Sequence, residues 1–138
     1  VLGDGAGRGV LRFMGKDVST ELGQITISDE VIALIAGMAA TECYGLVGMA
    51  SRNIQDGIAE LLGMENMSRG VEVKLDGDEV VIELYIIVEY GTKITEVAQN
   101  VMDKVRYVVE SMTGLKVAQV NITVQGVRVT HVRTDRRT

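Results

Sequence analysis

The clearest signal in the chain is a change of hydrophobic period. From Val71 to Asp76, Val71, Val73 and Leu75 alternate with Glu72, Lys74 and Asp76, the two-residue period of a half-buried strand. The period resumes from Glu79 to about Tyr90. Its even positions, Val80, Ile82, Leu84, Ile86, Val88 and Tyr90, are all apolar or aromatic, whereas Val81, Glu83, Tyr85, Ile87 and Glu89 form a mixed odd face. Asp76-Gly77 predicts a two-residue hairpin turn that sets Lys74 opposite Glu79 and Val73 opposite Val80. The period then lengthens to that of a helix. Val97, Val101, Val105, Val108 and Met112 make a stripe over about 95–113, and Gly114 is placed to end it. A last strand is predicted over 117–129, where Val120, Ile122 and Val124 alternate with Asn121, Thr123 and Gln125, and Gly126 shifts the alternation as a bulge would.

The first half reads less sharply. Gln24-Ile25-Thr26-Ile27 is a β-branched run and a predicted strand. Ser28 can then cap a helix whose first turn carries Asp29 and Glu30, with Ile27 and Ile32 at staple positions. Val31, Leu34, Ile35, Met38 and Ala39 form the expected core stripe, continuing to Cys43 and Leu46. Ala36, Ala39 and Ala40 let another backbone approach, and Gly45 is the expected stop. A second, shorter helix is predicted over 54–62 from Ile54, Ile58, Leu61 and Leu62, followed by a loop over 64–70.

The resulting order, β-α-α-β-β-α-β, predicts an α+β fold with a split βαβ, ferredoxin-like outline. One mostly antiparallel sheet would carry its helices on one face. The domain is set at 23–129, with 1–22 as a flexible N-terminal segment and 130–138 as a basic flexible tail. Residues 1–13 are placed outside the fold because Met14 suits a natural start.

The 138 residues suffice for one domain, and 46% hydrophobic with 24% charged residues is globular composition. A net charge of −5 disfavours a general nucleic-acid binder. The charge is uneven: Arg128, Arg133, Arg136 and Arg137 near the end face a single acid, Asp135, and are candidates for contact with an anionic surface. No run reaches membrane-spanning length; 31–50 comes nearest but is broken by Thr41, Glu42, Tyr44 and glycines. Val1 to Gly9 has no apolar run of the secretory kind.

Candidate chemistry is sparse, and neither a catalytic residue, a metal nor a cofactor is assigned. Cys43 has no disulfide partner in the chain, which suits a reducing compartment. It falls on the apolar stripe far in sequence from the single His131, so it reads as a small core residue rather than a nucleophile. Gly45-Leu46-Val47-Gly48 has the G-x-x-G form of a nucleic-acid clamp, but Leu-Val prefers burial, and a tight helix-to-helix corner is expected. Glu83 and Glu89 lie six positions apart on one strand, roughly 20 Å, too far for a paired-carboxylate mechanism. The mixed odd face suggests an open sheet surface that binds protein through Val81, Glu83, Tyr85, Ile87, Glu89 and Tyr90.

Several runs resemble one family. Gly23-Gln24-Ile25-Thr26-Ile27-Ser28, Val31-Ile32 and Cys43-Tyr44-Gly45-Leu46-Val47-Gly48-Met49 are similar to the opening of the alkaline shock protein (Gls-type envelope stress response) family. Ser68-Arg69-Gly70-Val71, Tyr85-Ile86-Ile87-Val88-Glu89-Tyr90-Gly91-Thr92-Lys93-Ile94 and Val120-Asn121-Ile122-Thr123-Val124-Gln125-Gly126-Val127-Arg128-Val129 resemble its YloU-like branch. The resemblance covers roughly 22–130. It implies a cytoplasmic, stress-linked, self-associating protein of Gram-positive-type bacteria, without catalytic residues, gathered at the membrane through an anchored protein partner. The expected function is therefore a non-enzymatic interaction or scaffold protein and homo-oligomer. The alternative is a small ligand-binding or regulatory domain linked to fatty-acid or envelope metabolism. A KH-like RNA or anionic-surface binder is a minor alternative.

Overall fold

A computed structural model describes residues 12–14, 17–52 and 60–129. A small antiparallel meander opens the chain: β1 (Arg12–Met14), β2 (Asp17–Ser19) and β3 (Gln24–Thr26), with Val18 paired to Ile25. Helix α1 (Asp29–Thr41) follows, then β4 (Leu46–Met49), a 3₁₀ segment (Met64–Gly70), β5 (Val71–Asp76), β6 (Glu79–Glu89), α2 (Ile94–Thr113) and β7 (Val117–Arg128).

β6 is the axis of the main sheet. β5 pairs with its first half and β4 with its second, both antiparallel and on one side, while β7 pairs parallel on the other. The even face of β6 is the core: Val80, Ile82, Leu84, Ile86 and Val88 are fully buried, together with Val97, Val101, Val105 and Val109 of α2. Both helices pack on this face. The α+β class and the Gly114 terminus in the left-handed region are as the pattern predicts; the α2 stripe holds at Val97, Val101 and Val105 but continues through Val109, with Val108 half-buried and Met112 68% exposed. The bulge near Gly126 appears as a register shift between Val124 and Gly126.

The strand order departs from the split outline. A split βαβ needs a further strand, such as the one at 24–26, inserted between the two parallel ones. β3 instead pairs with β2 in the separate meander, so β6 and β7 are direct neighbours around α2. The meander also corrects the limit set at residue 23, since β1 and β2 lie in the segment expected to be flexible and Val18 is buried in the core cluster.

Three local expectations also change. The hairpin turn is centred one residue later, on Gly77 and Asp78, with Asp76 opposite Glu79 and Lys74 opposite Val81; only the face assignment survives. Gly45 does not turn helix into helix but α1 into β4. Its φ of 90° is a left-handed value, and a Cβ there would stand 2.7 Å from Val97 Cγ2, so glycine lets the chain pass against α2. Residues 64–70 form 3₁₀ structure rather than a loop. Of the predicted 54–62 helix, 54–59 lie outside the described residues, whereas Leu61 makes an antiparallel bridge with Ala50. The tail 130–138 also lies outside them.

Candidate interaction surfaces

α1 forms where the sequence places it. Ser28 Oγ accepts the Val31 N–H at 3.2 Å, and Asp29 and Glu30 occupy the first turn. It is rotated from the expected orientation: Ile35, Ala39 and Cys43 of the expected stripe face the core, but Val31, Leu34 and Met38 do not. The buried residues are Ile32, Ala33, Ala36, Gly37, Ala39 and Ala40. Val31, Leu34 and Met38, the heart of the expected core stripe, remain 48%, 45% and 43% exposed. The reason is proximity: a Cβ on Gly37 would lie 2.7 Å from Met67 Cγ, so the 3₁₀ segment sits against the helix where only small residues fit. No charged residue lies between Glu30 and Glu42. The helix is apolar all round: Ile32 is fully buried and Ile35 packs against the core, while Val31, Leu34 and Met38 are left outside.

The odd face of β6 is not the open apolar surface that was expected. Ile87 is 0% and Val81 9% exposed. Gly48 lies opposite Ile87, and Leu61 Cδ1 would come within 2.6 Å of a Cβ there, which puts Leu61 on this face beside Ile87. Ser51 and Arg52 cross the same region. Gln125 of β7 donates to both of their carbonyl oxygens at 3.3 Å, and Arg52 pairs with Glu72 of β5 at 3.6 Å. What remains is polar: Tyr85 donates to Glu83 Oε1 at 3.5 Å, and Lys74 Nζ stands 3.6 Å from Glu83 Oε2. Glu89 is half-buried and Tyr90 exposed at the end of the strand. Arg128 lies opposite Glu89, while Arg133, Arg136 and Arg137 lie outside the described residues.

Cys43 is half-buried, with Sγ 3.9 Å from the Ala39 carbonyl oxygen and 3.8 Å from that of Asn100. Burial pushes its thiol up; the Lys104 ammonium opposes the rise and Glu42 adds to it. Such a thiol is a poor nucleophile. Among the described residues no three of His, Cys, Asp and Glu gather as metal ligands, and no helix is long and apolar enough to cross a membrane.

Residues 17–129 match the model of a family with cell envelope-related function. The chain belongs to the alkaline shock protein 23 family. It is 58% identical over 119 residues to uncharacterized protein YloU of Bacillus subtilis, covering 86% of this chain and 99% of that protein. It is 41% identical over 113 residues to uncharacterized protein Spy1614 of Streptococcus pyogenes, covering 81% and 93%. The stress response regulator gls24 homolog of Streptococcus pyogenes is 30% identical over 122 residues, covering 86% of this chain and 66% of that protein. Among solved structures, the copper form of the MamM CTD is similar at a TM-score of 0.45 and 11% identity, covering 75% of this chain and 90% of that one.

In this member of the alkaline shock protein 23 family, the runs that carry the resemblance do structural work. Thr92 Oγ1 donates to the Glu89 carbonyl oxygen at 2.7 Å and closes the turn between β6 and α2. Gln125 holds Ser51 and Arg52 over the sheet. The residues the sequence reading missed are Val31, Leu34 and Met38 as surface. The available signal was the lack of charge from Val31 to Thr41, which leaves two apolar faces competing for one core.

Proposed function

We propose that this chain is a non-enzymatic, cytoplasmic interaction module of the envelope stress response, which docks on another polypeptide, a membrane-anchored protein or a second copy. The observation that supports the reading is the outward face of α1. Val31, Leu34 and Met38 recur at i, i+3 and i+7, nearly half exposed, on a helix with no intervening charge. An amphipathic helix usually hides its larger apolar side chains; one that displays them suits a protein partner. The envelope-related family and the stress-response name of the gls24 relative support the setting.

Photocrosslinking from positions 34 and 38 in living cells tests it. A discrete protease-sensitive adduct, lost when Val31→Asp is combined with the probe, is the expected result. Equal yields with and without Val31→Asp, or labelling no stronger than from Asp78, exposed in the β5–β6 turn, would sink the reading.

A further inference from the structure

We propose that the outer edge of β7 pairs antiparallel with β7 of a second copy of this chain, about a two-fold axis at Ile122. The inference deepens the interaction reading by naming one partner, and it stands on a different surface from α1. β6 directs its even residues toward β7: Val80 N–H donates to the Lys116 carbonyl oxygen and Tyr90 N–H to that of Arg128. Its odd residues face the other way, with Glu89 N–H donating to the Gly45 carbonyl oxygen and the Tyr85 carbonyl oxygen accepting from Ala50. In the parallel register Ile82↔Val120, Leu84↔Ile122 and Ile86↔Val124, β6 bonds to the residues flanking each β7 partner. The N–H and C=O groups of Val120, Ile122 and Val124 therefore point outward. Among the described residues no strand pairs with that edge.

The open stretch has defined ends. Register shifts lie between Val117 and Gln119 and between Val124 and Gly126. At the first, the Ala118 carbonyl oxygen is taken by Arg106 Nη2 at 2.8 Å. Between these limits the edge has no Pro, Lys or other charge, the usual devices that keep an edge strand from pairing. A cleft of about 410 Å³ lies between α2 and the edge, with Gln99, Met102, Asp103 and Arg106 on the helix side.

The sequence favours a second copy as the occupant. Val120-Asn121-Ile122-Thr123-Val124 is symmetric in character about its centre. Antiparallel self-pairing there sets Val120 against Val124, Ile122 against Ile122 and Asn121 against Thr123, so apolar meets apolar on the core face and polar meets polar outside. These outward-pointing residues are the ones that exchange both main-chain bonds. Ile122 and Val124, only half-buried at the edge, gain cover. Two copies of net charge −5 repel, and an uncharged edge is where they can meet. An interface one strand wide is small, so the dimer depends on concentration.

Sedimentation equilibrium of the full chain, with amide exchange read at Val120, Ile122 and Val124, tests the assignment. Wild type is expected to dimerise, with these three amides slowing as concentration rises. Asn121→Lys with Thr123→Lys places like charges opposite each other on the exposed face and is expected to weaken dimerisation at least about tenfold. Mixing that variant with Asn121→Glu and Thr123→Glu is expected to restore it. A wild-type monomer up to about 1 mM, the weak end of the affinity scale, overturns the inference. So does a dimer whose three amides stay fast, or one broken by Leu34→Asp and not by the lysine pair. A second slow-exchange pattern appearing only with added foreign peptide would assign the edge to that peptide instead. A monomer, or a dimer with fast edge amides, leaves the α1 crosslinking test of the broader reading open, whereas a dimer broken only by Leu34→Asp moves the interface to α1.

Discussion

Replacing Leu34 by Gln separates the two possible orientations of α1. Fully burying a leucine stabilises by about 1.5–3 kcal/mol. Leu34 is 45% exposed, so it realises a little over half of that, and Leu34→Gln should cost about 1–1.5 kcal/mol. Ile32, two residues earlier and 0% exposed, belongs to the core cluster, and Ile32→Ala should cost about 2–5 kcal/mol because a cavity remains. Urea unfolding measures both. The expected result is a small shift of midpoint for Leu34→Gln and a large one for Ile32→Ala, at an unchanged m-value. If Leu34→Gln costs as much as Ile32→Ala, the large apolar stripe faces the core and the argument for an exposed α1 face collapses.

Three further outcomes follow from contacts elsewhere. Gly70→Ala should destabilise by about 1–3 kcal/mol in the same assay, since its Cβ would meet the Ala50 carbonyl oxygen at 2.6 Å and Met49 Cβ at 3.1 Å, neither on a flexible chain end. Gln125→Ala removes the two bonds to Ser51 and Arg52 and should cost about 0.5–1.5 kcal/mol, with Arg52→Ala in the Gln125→Ala background costing less than alone because both hold the same segment. Burial raises the Cys43 pKa above its ordinary 9.0, so the folded state holds that proton more tightly than the unfolded one. The associated stability is fully present below pH 9.0 and lost as pH rises through the higher folded value; Cys43→Ala should flatten that alkaline loss in pH-dependent unfolding.

The sheet centre and α2 were legible because their patterns admit one solution. Every even residue of β6 from Val80 to Val88 is apolar, and a single register buries them all. α2 has charged and polar residues around its valine stripe, so only one face could turn inward. α1 lacks that contrast. Its orientation follows from how near Met67 comes to Gly37, a tertiary fact that periodicity along the helix does not encode. The odd face of β6 misled for a related reason. Ile87 does mark buried area, but its cover comes from Leu61 and the Ser51–Arg52 crossing, residues distant in sequence. The hairpin slipped by one residue because Gly77 suits either turn position, and the slip preserves the apolar pairing face. The role of β3 was obscured because β2, the strand that pairs with it, lies in a segment whose composition gave no strong pattern.

The outer face of α1 is the proposed site at which this chain binds another polypeptide. Its most direct test is sedimentation of the purified full chain with membrane vesicles from Bacillus subtilis, the source of the 58% identical relative, alongside protease-treated vesicles and protein-free liposomes of the same lipids. Binding to the untreated vesicles alone, abolished by Leu34→Asp, is the predicted result. Equal sedimentation with liposomes, or no sedimentation with any vesicle together with self-association that Leu34→Asp leaves unchanged, would contradict it.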